Sequence, residues 1–228
     1  MNTSGLRNAA ISSMLTAACL TGAVIVVFIL LANADVLTHA LPDVSLWVAI
    51  PVGVLLLSSA FLIGGGIWGW GTAHLFNHPR WPAARTGALS VTGMFMLLEV
   101  PVHFSQAIPV PDWMPLDTHG MFTVVFATEI GLVAGVASAR LAKRLGVIHK
   151  RRQVAAKVGL AGVIGTVVGS MLALSCGFRV GQSPPFSMVW ALYIVVAVAG
   201  LTSGWILGLK LTNLAHHTGK GTPTVAIP

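Results

Sequence analysis

Two glutamates, Glu99 and Glu129, fall inside long apolar runs of the sequence. A charged residue at the centre of a membrane helix costs about 2.5–3.5 kcal/mol on insertion scales, so such residues usually serve a function. His103 follows Glu99 by four residues, which places both on one face of a helix. His119 opens the next apolar run. This spacing predicts a polar cluster that binds or relays a cation, either a proton or a transition metal.

Two chemistries fit these residues. Carboxylate and neutral imidazole ligands suit zinc, copper or iron, so Glu99, His103 and His119 are the predicted metal ligands. The carboxylate pair Glu99 and Glu129 beside histidines also suits proton transfer. We expect Glu99, His103 and His119 to converge, whereas Glu129 lies about 80° from the helix face of His119. The structural alternative is a protonated glutamate hydrogen-bonded to a neighbouring helix, with interfacial histidines.

The chain that carries these residues is too apolar for a soluble fold. Hydrophobic residues make up 55% of it and charged residues 8%, with a mean hydropathy of +0.85, whereas soluble domains carry about 25% charged residues. The apolar runs are long enough for spanning helices and too continuous for a barrel. We therefore predict an all-α integral membrane protein, with one transmembrane domain over residues 1–228 and six transmembrane helices. The predicted spans are residues 9–33, 46–75, 86–107, 118–142, 157–178 and 187–211.

The basic residues predict how the spans are oriented. Lys and Arg number 13 against 6 Asp and Glu, and all but Arg179 fall on one side of the predicted spans. Because cytoplasmic loops are enriched in Lys and Arg, both termini are predicted to be cytoplasmic. The spans then form three sequential hairpins in the cell (inner) membrane, and the Glu/His cluster lies in the outer half of the bilayer. The membrane topology explains the excess of Lys and Arg over Asp and Glu, so no nucleic-acid partner is predicted.

The three hairpins share a sequence pattern. The odd helices begin alike at Arg7, Arg85 and Lys157. The even helices carry small residues at intervals of four, namely Gly65/Gly69/Ala73, Gly131/Gly135/Ala139 and Gly204/Gly208/Thr212. The pattern indicates either a threefold repeat or convergent packing chemistry, because small residues let membrane helices approach closely. In both cases the even helices are expected to form the crowded centre of the bundle.

The sequence leaves three functional classes open and does not decide whether the protein is an enzyme. The first is a small cation transporter, or the cation-handling membrane subunit of a complex. The second is a non-catalytic anchor or assembly subunit of a larger complex, such as a redox complex, because the chain is small and its loops are short. Both predict the lipid bilayer and other membrane subunits as partners.

The third class follows from a resemblance. The layout is similar to the third subunit of the copper membrane monooxygenases, in which an acid-x3-His…His copper site lies at the outer end of a helix pair. Glu99, His103 and His119 match those positions, which implies copper as the metal. The sequence departs from the family in its Glu acid, in a longer gap between the histidines, and in lacking the family's second Asn/His cluster before the sixth span.

Overall fold

The chain folds into long helices, and the residues that the structure describes contain no strand. A computed structural model describes residues 3–40, 46–105, 118–147, 150–178 and 185–218, with side chains for residues 3–27, 29, 55, 58–97, 120, 123–147, 150–178 and 189–213. The helices are α1 Thr3–Ala40, α2 Leu46–Leu75, α3 Arg80–Ser105, α4 Thr118–Arg144, α5 Arg151–Ser175 and α6 Pro185–Thr218.

Each predicted span coincides with one helix, but several helices are longer than the apolar run. The α3 helix begins at Arg80, ahead of the predicted start at residue 86. Pro82 lies in its first turn, where a proline is tolerated because the missing N–H would have no intrahelical partner. Likewise α5 begins at Arg151, ahead of residue 157. The hydrophobic pattern therefore marks the apolar stretch and not the helix ends.

Four helical stretches are long and apolar enough to cross a membrane among the residues described. They are Thr3–Val27, Thr123–Arg144, Arg151–Ser175 and Val189–Asn213. An all-helical fold with these stretches is compatible with a membrane location. Many large apolar side chains on the outside of the bundle are exposed, including Met14 at 70% and Met171 at 63%, as expected for surfaces that contact lipid.

The six helices form a closed ring. Each helix packs against its neighbours in chain order, and α6 also packs against α1. The α1–α6, α2–α3, α4–α5 and α5–α6 interfaces are extensive, whereas the α1–α2 and α3–α4 interfaces are much smaller. The α2–α3 pair therefore contacts the other four helices through two small interfaces, α1–α2 and α3–α4, which we call the two light seams.

Glycines set the spacing between each even helix and the odd helix that follows it. A Cβ atom on Gly65 of α2 would lie 2.7 Å from the carbonyl oxygen of Gly87 and 3.0 Å from Cβ of Val91 on α3. The α4–α5 interface repeats this register with Gly131, Gly159 and Val163. Because the two interfaces use the same offsets from Arg85 and Lys157, the register supports the repeat that the sequence pattern indicates.

The α6–α1 interface closes the ring with the third set of small residues. A Cβ atom on Gly204 would lie 2.8 Å from Cα of Ser13, and one on Gly208 would lie 2.7 Å from Cα of Ala9. Counted from the basic residue near the start of each odd helix, the contacts on α1 lie about one helical turn further along than the contacts on α3 and α5. Near the ends of the chain, Gly5 faces Cγ2 of Thr212, at 3.4 Å from its Cβ position. The first and last helices therefore run side by side.

Candidate functional site

The predicted metal ligands lie in two neighbouring helices. Glu99 and His103 fall in α3 and His119 in α4, but their side chains lie outside the described residues. Their predicted convergence therefore stays a prediction. Among the side chains that are described, no group of three or more His, Cys, Asp or Glu residues is placed to hold a metal ion.

Glu129 is the one member of the predicted site whose side chain is described, and it is partly buried in α4. Its Oε1 atom is shielded from solvent by the surrounding helices. Burying a carboxylate in an apolar setting is unfavourable unless a partner or a proton compensates the charge. Glu129 is therefore a carboxylate held within the bundle and not a side chain directed freely outward.

The α5–α6 pair offers a comparison for the position of Glu129. Glu129 lies two residues before Gly131, and Thr202 lies two residues before Gly204. The Thr202 hydroxyl lies 2.9 Å from the carbonyl oxygen of Ala161 on α5, the other helix of its own hairpin. By the same register, we expect Glu129 to lie on the side of α4 that faces α3. The same position in α2 is Ile63, two residues before Gly65.

The α3–α4 seam is open on its α3 side. Gly93 and Gly165 both lie eight residues after the basic residue that begins the repeat. A Cβ atom on Gly165 would collide with Thr202, whereas a Cβ atom on Gly93 would meet none of the described residues within 4 Å. Leu89 and Leu97, one turn before and after Gly93, are 61% and 68% exposed. The α3–α4 pair is thus packed more loosely than the equivalent α5–α6 pair.

A cavity lies along the axis of the ring and is lined by residues of all six helices. Its volume is about 40 Å³, and one water needs about 10–15 Å³ on this measure, so it can hold a few waters. The walls are mainly apolar and come mostly from the even helices. Among the described residues the even helices make few contacts with one another, so they do not form the crowded centre that the sequence suggested. Hydroxyl groups of Thr16, Ser138 and Ser203 contribute polar atoms. Ile130, the residue after Glu129, also lines this axial cavity.

One tryptophan breaks the repeat at the cavity wall. Trp68 of α2 lies three residues after Gly65, and the matching positions in α4 and α6 are Ala134 and Leu207. All three residues line the axial cavity. The indole of Trp68 is bonded to Thr16 of α1. The repeat offset is the signal in the sequence that identifies Trp68 as an axial residue.

Comparison with known proteins gives no relative from which a function could be transferred. No protein-family model, no curated protein and no solved structure matches this chain.

Proposed function

We propose that this protein is a multi-pass membrane protein whose Glu129-centred site on the α3–α4 seam binds or relays a cation, as a small transporter or as a membrane subunit of a complex. In this proposal all six helices span the cell membrane as three hairpins with cytoplasmic termini. The distribution of Lys and Arg supports that orientation. Glu99, His103 and His119 complete the site in the outer half of the bilayer.

The observation that carries the proposal is the partly buried Glu129, whose Oε1 atom is shielded from solvent, at a position where α6 carries Thr202. A threonine hydroxyl satisfies its hydrogen-bonding needs within the helices at little cost, whereas a buried carboxylate is expensive. A functional role therefore explains the presence of Glu129 better than a packing role does. The open α3 side of the seam leaves room for a water or a cation beside it.

The site offers two roles. As a metal centre, Glu99, His103 and His119 supply the ligands for copper, zinc or iron, and Glu129 balances the charge nearby. As a proton site, Glu99 and Glu129 exchange the proton, and the histidines pass it to the outer surface. The axial cavity beside Ile130 offers the continuation of either path toward the cytoplasm.

Reconstituted liposomes test the proposal. We expect wild-type protein to move protons or a divalent transition metal across the bilayer, and Glu129→Gln to lower that rate at least tenfold. Thr128→Val is the matched control, because the exposed Thr128 hydroxyl donates to the carbonyl oxygen of Val124, at 2.9 Å, within its own helix. Equal rates in Glu129→Gln and wild type would show that Glu129 has no part in transport.

Metal analysis of the purified protein decides between the two roles. If a metal is bound, Glu99→Gln and His103→Ala are each expected to release it, and Thr128→Val is expected to retain it. Metal content that is the same in all these variants rules out the metal centre. Copper as the retained metal would favour the subunit that resembles a copper monooxygenase component.

The open seam also favours a second candidate, a non-catalytic membrane subunit that receives a partner helix. Leu89 and Leu97 present a largely exposed apolar surface beside Gly93, which fits close helix packing. Native purification distinguishes the candidates. Stable co-purification with larger subunits, together with an activity that Glu99→Gln leaves unchanged, supports the subunit. A chain that purifies alone and moves a cation supports the transporter.

A further inference from the structure

The axial cavity lies where the three even helices carry side chains of unequal size at one repeat position. Trp68 of α2, Ala134 of α4 and Leu207 of α6 all line it. Trp68 is 6% exposed and Leu207 is 1% exposed, whereas Ala134 is only partly buried. Close-packed protein interiors contain few voids larger than a water molecule. The small side chain of Ala134 accounts for this one, because it leaves space on the α4 side of the axis.

The polar groups of the cavity wall are largely bonded within the protein. The Thr16 hydroxyl donates to a backbone carbonyl of its own helix, at 2.7 Å, and accepts the indole N–H of Trp68, at 3.1 Å. The Ser203 hydroxyl donates within its own helix, at 2.7 Å. Ser138 adds one further hydroxyl, and Cys19 adds a thiol, which is a weak donor and acceptor. A buried water typically makes about three hydrogen bonds, so this wall offers water little.

The volume of the cavity sets the size of a guest. About 40 Å³ lies between the roughly 10–15 Å³ that one water needs and the roughly 150 Å³ of an engineered apolar cavity that stays dry and binds benzene or xenon. A guest here is therefore smaller than benzene. An apolar guest supplies the dispersion contacts that the wall of an empty void lacks.

We propose that the axial cavity is a binding site for one small nonpolar molecule, of the size of xenon or dioxygen, held by dispersion contacts with the apolar wall. The binding itself does not depend on cation transport. The same cavity continues the proposed cation path, so a guest on the axis obstructs that path. This consequence alone rests on the proposed function.

Magnetic resonance of the indole N–H groups under xenon pressure tests the site. Purified protein with isotope-labelled tryptophan is titrated with xenon in detergent micelles. The Trp68 resonance, assigned by its loss in Trp68→Phe, is expected to shift and to saturate, because this side chain lines the cavity. Trp81 is 76% exposed and serves as the internal control, which is expected to change only linearly with xenon pressure.

Three variants change the cavity or leave it intact. Ala134→Leu places on α4 the residue that α6 carries at the same position and is expected to abolish the saturating shift by filling the space. Ala18→Leu adds the same atoms at an exposed position of α1 and is expected to retain the shift. Leu207→Ala enlarges the cavity, so it is expected to bind xenon more tightly and to admit benzene, which wild type excludes.

The outcomes separate this proposal from the proposed function. It is overturned if the Trp68 shift does not saturate in wild type, if a saturating shift survives in Ala134→Leu, or if Ala18→Leu loses it equally. Should Ala134→Leu fail to fold, Leu207→Ala decides, and xenon binding no tighter than in wild type overturns the proposal. A protein that binds xenon in this way and moves no cation in liposomes contradicts the transporter alone.

Discussion

The indole N–H of Trp68 donates a hydrogen bond of 3.1 Å to Oγ1 of Thr16, which joins α2 to α1 beside the axial cavity. The Thr16 hydroxyl in turn donates to the carbonyl oxygen of Ser12, at 2.7 Å. A Cβ atom on Gly204 of α6 would lie 2.6 Å from the same Oγ1. Three helices therefore meet at Thr16, on one of the two light seams of the ring.

A double-mutant cycle measures this bond. Trp68→Phe removes the indole donor and Thr16→Val removes the acceptor, while both keep much of the packed volume. We expect a coupling of about 0.6 kcal/mol and no more than about 1.7 kcal/mol, the range found for hydrogen bonds between membrane helices. The free energy of unfolding in mixed micelles provides the measurement. A coupling of zero would show that the two side chains act independently.

Two equivalent glycines are predicted to respond in opposite ways to the same substitution. Gly165→Ala places a methyl group against Thr202 and Cα of Ala199, and overpacking of this kind typically costs about 1–3 kcal/mol. Gly93→Ala meets open space and is expected to be neutral or to stabilise α3 by up to about 1 kcal/mol through helix propensity. Unfolding of the two variants under identical conditions compares them. Similar destabilisation of both would mean that the α3–α4 seam is closed.

Glu129→Thr is predicted to fold at least as stably as wild type. It places on α4 the residue that α6 carries at the same position, and it removes a buried carboxylate whose desolvation is costly. Thermal unfolding of the purified variant tests this. A loss of more than about 2 kcal/mol, the cost typical of breaking a needed buried interaction, would favour the structural role for Glu129. Thr202→Val is the companion variant, expected to lose about 0.6 kcal/mol.

Cysteine labelling tests the orientation of the helices. Cys176 is exposed just after α5, whereas Cys19 is partly buried within α1, and both thiols are free. With cytoplasmic termini, Cys176 belongs on the outer surface. A membrane-impermeant maleimide is therefore expected to label Cys19→Ser protein in intact cells or spheroplasts, and Cys176→Ser protein serves as the unlabelled control. Labelling only in inverted vesicles would reverse the proposed topology.

The sequence predicted the helices well because a membrane helix is specified by a long apolar run, which needs no tertiary information. It predicted the ends less well, since polar turns such as Arg80–Pro82 continue a helix without adding to the apolar pattern. The small-residue triplets identified the packing positions. The triplets did not reveal that α6 pairs with α1, because ring closure depends on contacts between segments at opposite ends of the chain.

The residue types of the candidate site could be predicted from the sequence, but the structural surroundings of these residues could not. Glu129 was identified as an acid in an apolar run, yet nothing in its own helix indicates that Gly93 leaves space beside the seam. That difference from Gly165 arises from how far α3 and α4 approach, which depends on packing throughout the ring.

The pairing of α1 with α6 has a consequence for biogenesis. The helix synthesised first shares its largest interface with the helix synthesised last, so the face of α1 that carries Ala9 and Ser13 remains without its partner while the intervening helices are made. At about 5–20 residues per second, that interval lasts roughly 10–40 s. During this time lipid or the insertion machinery must shield a row of small, hydroxyl-bearing residues. We therefore expect the packing of α6 against α1 to complete the assembly of the six helices, so that a chain truncated before α6 remains open and is degraded.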